Sequence, residues 1–210
     1  SEELFWVGDM TVSNQALEFL EFVEQQPRQS VRQLMDKVLL KSRLMTGAEA
    51  GTIFIVRKKG RQRWLEPISL QNDAVRIGST DFIVPITAKS IAGFVAGSGE
   101  IARIDDVYKI PPKRSYSFNP DNELAHYHTM SVLCFPLKNY QEHVIGVVQL
   151  INRKMEGEER PMPFEDEQIQ LVTPIARVLA THIERADMLE HIRMKNSRLR
   201  QRNRELGEQR

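Results

Sequence analysis

Residues 90–108 (SIAGFVAGSGEIARIDDVY), 116–139 (YSFNPDNELAHYHTMSVLCFPLKN) and 144–152 (VIGVVQLIN) decide how this chain is read. The first begins as a short helix capped by Ser90 and stopped by Gly97 and Gly99. The other two hold apolar strands, over 131–137 and 144–151, joined across Asn139, Tyr140, Gln141 and Glu142. Residues 105–128 carry three prolines and few periodic apolar positions, which marks a long functional loop. No nucleophile, base or metal cluster converges in this stretch. It suits a pocket that holds a small molecule better than one that transforms it.

Upstream, residues 52–56 and 64–70 read as a hairpin around the polar turn Lys58, Lys59, Gly60 and Arg61. A weaker strand is expected over 81–84, ending at Pro85, and a short one over 101–104. Leu17, Phe19, Leu20, Phe22 and Val23 recur at near-helical spacing, and Pro27 interrupts them. Ser30 then reads as the N-cap of a helix over 31–45, with Leu34, Val38, Leu39 and Met45 on its apolar face. Everything from Phe164 onward reads helical. Pro174 lies inside that pattern, where a helix interior loses about 3 kcal/mol, so a kink or boundary is expected there.

Past Ala186 the pattern becomes a heptad. Leu189, Asn196 and Asn203 fall at a positions, and Ile192, Leu199 and Leu206 fall at d positions. Asparagine at a lowers stability but favours a parallel, in-register dimer. The expected fold class is therefore α+β: an antiparallel sheet of about six strands, flanked by N- and C-terminal helices and extended by a coiled coil. Three parts are expected, a helical segment over 1–29, a globular domain over 30–184 and a coiled-coil helix over 185–210. The chain starts without Met and stops inside a charged repeat, which reads as a piece of something longer.

Composition narrows the class without naming a partner. The 210 residues are 41% apolar and 27% charged, with 29 basic against 28 acidic side chains, ordinary for a globular protein. No run reaches the roughly 18 apolar residues of a membrane span, and no signal peptide opens the sequence. The single Cys134 excludes an internal disulfide framework and agrees with a cytoplasmic location. The basic residues of 185–210 interleave with the heptad seam, so they read as a solvated coiled-coil exterior and no nucleic-acid partner is expected.

Taken together, LMTGAEAGTIFIV, SLQND, SIAGFVAGSGE, IDDVY, YHTMSVLCFPLKN and VIGVVQLINR resemble a GAF domain over about residues 34–183. The resemblance is to the GAF domains of cyclic-nucleotide phosphodiesterases and of bacterial cyclic-di-nucleotide signalling proteins. It implies a non-catalytic regulatory sensor that binds a small molecule, a cyclic nucleotide or another ligand, with no metal. It further implies a homodimer relaying through its C-terminal helices to an output domain such as a cyclase or phosphodiesterase. The alternative is a ligand-free dimerisation scaffold. Some GAF-fold proteins reduce free methionine sulfoxide with several cysteines, and here only Cys134 is present.

The resemblance also implies a ligand site. The amides of Ile91 and Ala92, behind the cap Ser90, would hold a phosphate, as exposed N–H groups at a helix start do. Thr52, Gln71, Asn72, Phe118, Asn122, Thr129 and Gln149 would surround the pocket. Asn72 or Gln71 would read a base edge and Phe118 would stack on it. Where the nucleotide-binding pattern has an acidic residue this sequence has Asn72 or Gln71. Ala125 stands for a hydroxyl-bearing residue and Gln149 for a carboxylate. The family's Asn-Lys…Phe…Asp-Glu signature reads Asn152-Arg153…Phe164-Glu165-Asp166-Glu167, with Arg153 expected to pair with Asp166. Asp105 and Asp106 read as turn carboxylates, His126 and His128 as too few for a metal, and Cys134 as a buried inert thiol.

Overall fold

Ser30 opens the first long helix by a reciprocal pair of bonds. Its Oγ accepts from the Gln33 amide at 3.3 Å, and its own amide donates to Gln33 Oε1 at 3.2 Å, which satisfies two of the donors a helix start leaves orphaned. Helix α1 (Val31–Thr46) follows and ends at Gly47, in the left-handed region at φ +76°. The computed structural model describes residues 14–15, 17–25, 30–78, 81–120 and 126–208. Of the expected first helix, residues 17–24 are helical, and Phe19 and Val23 are buried.

Strands β1 (Ala48–Lys59), β2 (Gln62–Asn72), β3 (Val84–Pro85), β4 (Ala102–Ile104), β5 (Val132–Lys138) and β6 (Val144–Arg153) form one sheet. Its order is β3-β2-β1-β6-β5-β4, antiparallel throughout. Helix α2 (Ile91–Ser98) lies between β3 and β4, a single 3-10 turn covers Val107–Lys109, and α3 (Asp166–Glu208) closes the chain. The six expected strands are therefore present, with β3 reduced to two residues against Trp64 and Leu65.

Strand alternation sends successive side chains to opposite faces. One face carries Ile53, Ile55, Leu133, Phe135, Val148 and Leu150, covered by α1 and the first half of α3. The other carries Phe54, Leu65, Val132, Cys134 and Val147, covered by α2. Each such fully buried aliphatic or aromatic side chain contributes about 1.5–3 kcal/mol. The candidate site belongs to the second face.

Two expectations are corrected, a helix boundary at Pro174 and an Arg153–Asp166 pair. Helix α3 runs unbroken for 43 residues with Pro174 inside it. Pro174 and Gln170 are both exposed, so the Gln170 carbonyl that Pro174 cannot bond is left to water. Leu171, Val172, Ile175 and Leu179 hold the helix to the sheet on either side of the break in bonding. The Arg153–Asp166 pair does not form either. Arg153 donates to the Pro163 carbonyl at 3.0 Å and pairs with Glu165 at 3.6 Å, while Asp166 takes Arg103 of β4 at 2.5 Å. Among the described residues no helix is long and apolar enough to cross a membrane.

Candidate functional site

The start of α2 is built from local sequence. Ser90 is extended (φ −141°, ψ 156°), and its Oγ accepts from the Gly93 amide at 3.0 Å, as an N-cap does. A Cβ at residue 93 would sit 2.5 Å from the carbonyl oxygens of both Pro85 and Thr87. Only glycine lets the helix start press this closely on the strand before it. Phe94 N closes the turn on Ser90 O at 3.0 Å. Among the described residues, nothing accepts from the amides of Ile91 and Ala92, although both residues are buried.

Opposite this helix, register places Ala102, Cys134, Gln149, Thr52 and Leu70 in one row across five strands. The row is on the α2 face, because Cys134 belongs to that core and Ile53 and Val148, next along their strands, belong to the other. Thr52 is 7% exposed and Gln149 is half-buried. Neither side chain has a hydrogen-bond partner among the described residues. Two adjacent polar groups thus stand in a wall otherwise made of Phe54, Val132, Cys134, Val147 and Ile151. The Cys134 thiol is fully buried and burial alone pushes its pKa up, so it is not poised as a nucleophile.

Gln71 faces away from this row. It pairs with Gly51, whose missing Cβ would lie 2.9 Å from Leu39 of α1, so both belong to the α1 face. Gln71 Nε2 donates to the Asp36 carbonyl at 2.7 Å, and its Oε1 accepts from Arg43 Nη1 at 2.9 Å. Period-two alternation decides between the two candidates, and Asn72 is the one on the α2 side, opposite Ala50. Its Oδ1 is taken by the amides of Ala74 and Val75 at 2.9 and 3.1 Å. Its NH₂ has no partner among the described residues.

The long loop folds over α2. Ser117 N donates to Ala88 O at 3.1 Å, and the Tyr116 ring lies 4.9 Å from Phe94. Phe118 is half-buried and meets Tyr108 edge-to-face at 5.5 Å, and His128 stacks on Tyr108 at 4.8 Å. Asp106 Oδ1 accepts from the Tyr108 amide, and that bond above all holds its carboxyl below the usual range. It caps the 3-10 turn, as a turn carboxylate does. Asn122 and Ala125 lie outside the described residues, and Thr129 is buried.

A polar network that the sequence does not announce anchors the far end of this loop. Asn152, buried and left-handed at φ +56°, accepts on Oδ1 from the amides of Met130 (2.7 Å) and Ser131 (3.2 Å). Its Nδ2 donates to His128 O at 2.8 Å and to the Tyr127 hydroxyl. Tyr127 donates to Glu49, which also pairs with Lys154. Burial, and then the Glu49 carboxylate, push the Tyr127 phenol well above its ordinary range. Arg43, buried at the end of α1, ties the same corner to Ala48 O, Glu49 O and Asp73. Only asparagine's tolerance of φ > 0 is a signal here, and it does not name the partners.

On α3 the heptad residues form an apolar stripe on a single chain. Leu189, Ile192, Leu199 and Leu206 are 44–58% exposed, and Asn196 and Asn203 are exposed beside them.

The profile of the GAF domain family matches residues 30–183. Over 166 residues, 75% of this chain, the sequence is 26% identical to the cGMP-specific 3',5'-cyclic phosphodiesterase of Drosophila pseudoobscura pseudoobscura, and it spans 14% of that protein's length. The GAF domain from a phosphoenolpyruvate-protein phosphotransferase of Coxiella burnetii shares the fold with a TM-score of 0.67 at 16% identity, covering 87% of this chain and 98% of that one. The free methionine-R-sulfoxide reductase of Neisseria meningitidis gives 0.61 at 13% identity, covering 85% and 91%. At such identities the structural likenesses speak for the fold alone.

Proposed function

This chain belongs to the GAF domain family, and on that premise we propose that it is a regulatory sensor unit taking a small anionic ligand of the cyclic-nucleotide kind between α2 and the sheet. The observation that carries this reading is the Thr52–Gln149 pair. Buried polar groups nearly always have partners, yet Thr52 has none among the described residues, its half-buried neighbour Gln149 has none either, and neither do the amides of Ile91 and Ala92 on the helix that covers their face. A phosphate at the helix start and a base or sugar against the sheet row would satisfy both sets. Residues 185–210 then act as a parallel dimeric signalling helix, and the ligand's preference for one loop arrangement biases that dimer and whatever output domain follows it.

Titration of cyclic GMP, cyclic AMP and cyclic dinucleotides against thermal unfolding tests the reading. A ligand at about 100 times its Kd adds about 2.7 kcal/mol, which raises the midpoint by several degrees in a domain of this size. No shift with any of them sinks the ligand. A second reading, the ligand-free dimerisation scaffold, draws support from the close packing of Ile91, Ala92 and Val95 on Phe54, Val132 and Val147. It expects no shift together with an intact dimer.

A further inference from the structure

We propose a second ligand site, for a small organic anion with an apolar body, in the cleft between residues 105–116 and 160–163 at the β4 edge of the sheet. The cleft has a volume of about 760 Å³, within the range of about 300–1,000 Å³ of small-molecule sites. Neither Thr52, Gln149 nor Ser90 lines it. Its floor is apolar, formed by Ile104, Ile110, Met130 and Met162. Its rim carries Arg103, Lys109, Arg114 and Arg160 against Asp105 and Asp106.

Pairing sorts these charges. Arg103 is engaged by Asp166 at 2.5 Å and Lys109 by Asp106 at 3.2 Å. Arg114 and Arg160 have no carboxylate partner among the described residues, and the exposed Asp105 is the one rim carboxylate left over. Two unengaged guanidiniums at the rim of an apolar floor suit a carboxylate or phosphate head, which the planar fork binds through paired N–H donors.

The walls are fixed without a ligand. Pro111, Pro161 and Pro163 restrict the backbone on both sides. Met162 N donates to Arg153 O at 2.7 Å, and Pro163 O accepts from the Arg153 side chain at 3.0 Å. Across the cleft, Val107 N donates to Met130 O and Arg114 N to Pro111 O, both at 2.9 Å. A preformed cleft loses little in ordering when it is filled. Tyr116 lines it while packing on Phe94 of α2, so one loop borders both this cleft and the α2 site.

The test uses the full chain with its methionine methyls ¹³C-labelled, because Met130 and Met162 report directly from the floor. Phenyl phosphate and benzoate are the anionic probes, and benzyl alcohol is the neutral one. Saturable shifts of both methyls with an anionic probe, weakened about tenfold or more in R114Q/R160Q and absent with benzyl alcohol, support the site. Response to only one of the two anions supports it and assigns the head group. The exposed positions of Arg114 and Arg160 keep the variant folded, and an unmoved signal from the buried Met35 checks this. No saturable shift at millimolar probe, equal affinity in the variant, or equal binding of benzyl alcohol overturns it. Failure of cyclic nucleotides at α2 leaves these readouts untouched.

Discussion

Asn152 Nδ2 lies 3.0 Å from the Tyr127 hydroxyl, and that hydroxyl donates in turn to Glu49 Oε2 at 3.0 Å. The chain of bonds runs from the last residues of β6 through the end of the long loop to the start of β1. Asn152→Ala leaves the amides of Met130 and Ser131 without an acceptor, at about 1–3 kcal/mol for each buried orphan. A left-handed alanine adds about 1–2 kcal/mol. Together these amount to about 3–8 kcal/mol, and because the Met130 amide is only part-buried the loss expected by urea unfolding is in the lower half of that range, about 3–5 kcal/mol. Asn152→Gly, which removes only the second penalty, should recover part of it. Tyr127→Phe should lose less, about 1–2 kcal/mol, because Lys154 still pairs with Glu49.

Thr52→Val and Gln149→Leu should behave oppositely to Asn152→Ala. Neither side chain has a protein partner among the described residues, so removing its polar atoms leaves nothing else unpaired. Each variant should unfold within about 1 kcal/mol of the parent, and each should abolish or strongly reduce any cyclic-nucleotide-induced rise in the unfolding midpoint. A variant that keeps the full ligand shift would remove that residue from the pocket.

The contrast shows which parts of the molecule were legible in the sequence. Alternation and turn residues located all six strands, and Ser30, Ser90 and Gly99 marked helix ends, because those signals are local. The choice between Gln71 and Asn72 is not local. It depends on a register irregularity between Ile53 and Phe54 and on Arg43 reaching across from α1. Glu49, Tyr127 and Lys154 are far apart in sequence and meet only through the sheet order. Pro174 misled as a helix boundary for a different reason: it and Gln170 lie on the exposed side of the helix, so tertiary packing overrides the local penalty.

Gly93→Ala tests the close approach at α2. The new methyl would meet two backbone carbonyl oxygens at 2.5 Å, and neither can rotate away as a side chain would. Overpacking of this kind costs about 1–3 kcal/mol, against the small gain alanine ordinarily brings to a helix. Chemical unfolding should show a net loss, and a stabilised variant would mean that the helix start slides outward.

Two groups on α3 give the stability–pH curve opposite slopes. His182 is held below its ordinary 6.5 by burial and then by Arg185, with Glu24 opposing. The unfolded chain therefore binds more protons between the two values, and stability present above pH 6.5 is lost as pH falls through the folded value. Asp187 is raised above 3.8 by burial and then by Glu190, with Arg57 opposing. Its contribution is present below 3.8 and is lost as pH rises through the folded value. His182→Gln should flatten the loss just below pH 6.5, and Asp187→Asn the loss above 3.8, in urea midpoints measured across the range.

The apolar stripe on α3 makes the sharpest demand on assembly. Leu189, Ile192, Leu199 and Leu206 keep about half their surface exposed on one chain, and a second copy in parallel register would cover them with Asn196 against Asn196 and Asn203 against Asn203. Sedimentation equilibrium should find a dimer, and Ile192→Asp with Leu199→Asp should make it a monomer whose α1, α2 and sheet remain folded, because neither residue touches those cores. Asn196→Leu should tighten association while relaxing its geometry, since a buried amide pair gives up stability to enforce register. A parent chain that sediments as a monomer, or a double aspartate variant that remains dimeric, would move the interface off α3 and leave the exposed stripe without a role in relay.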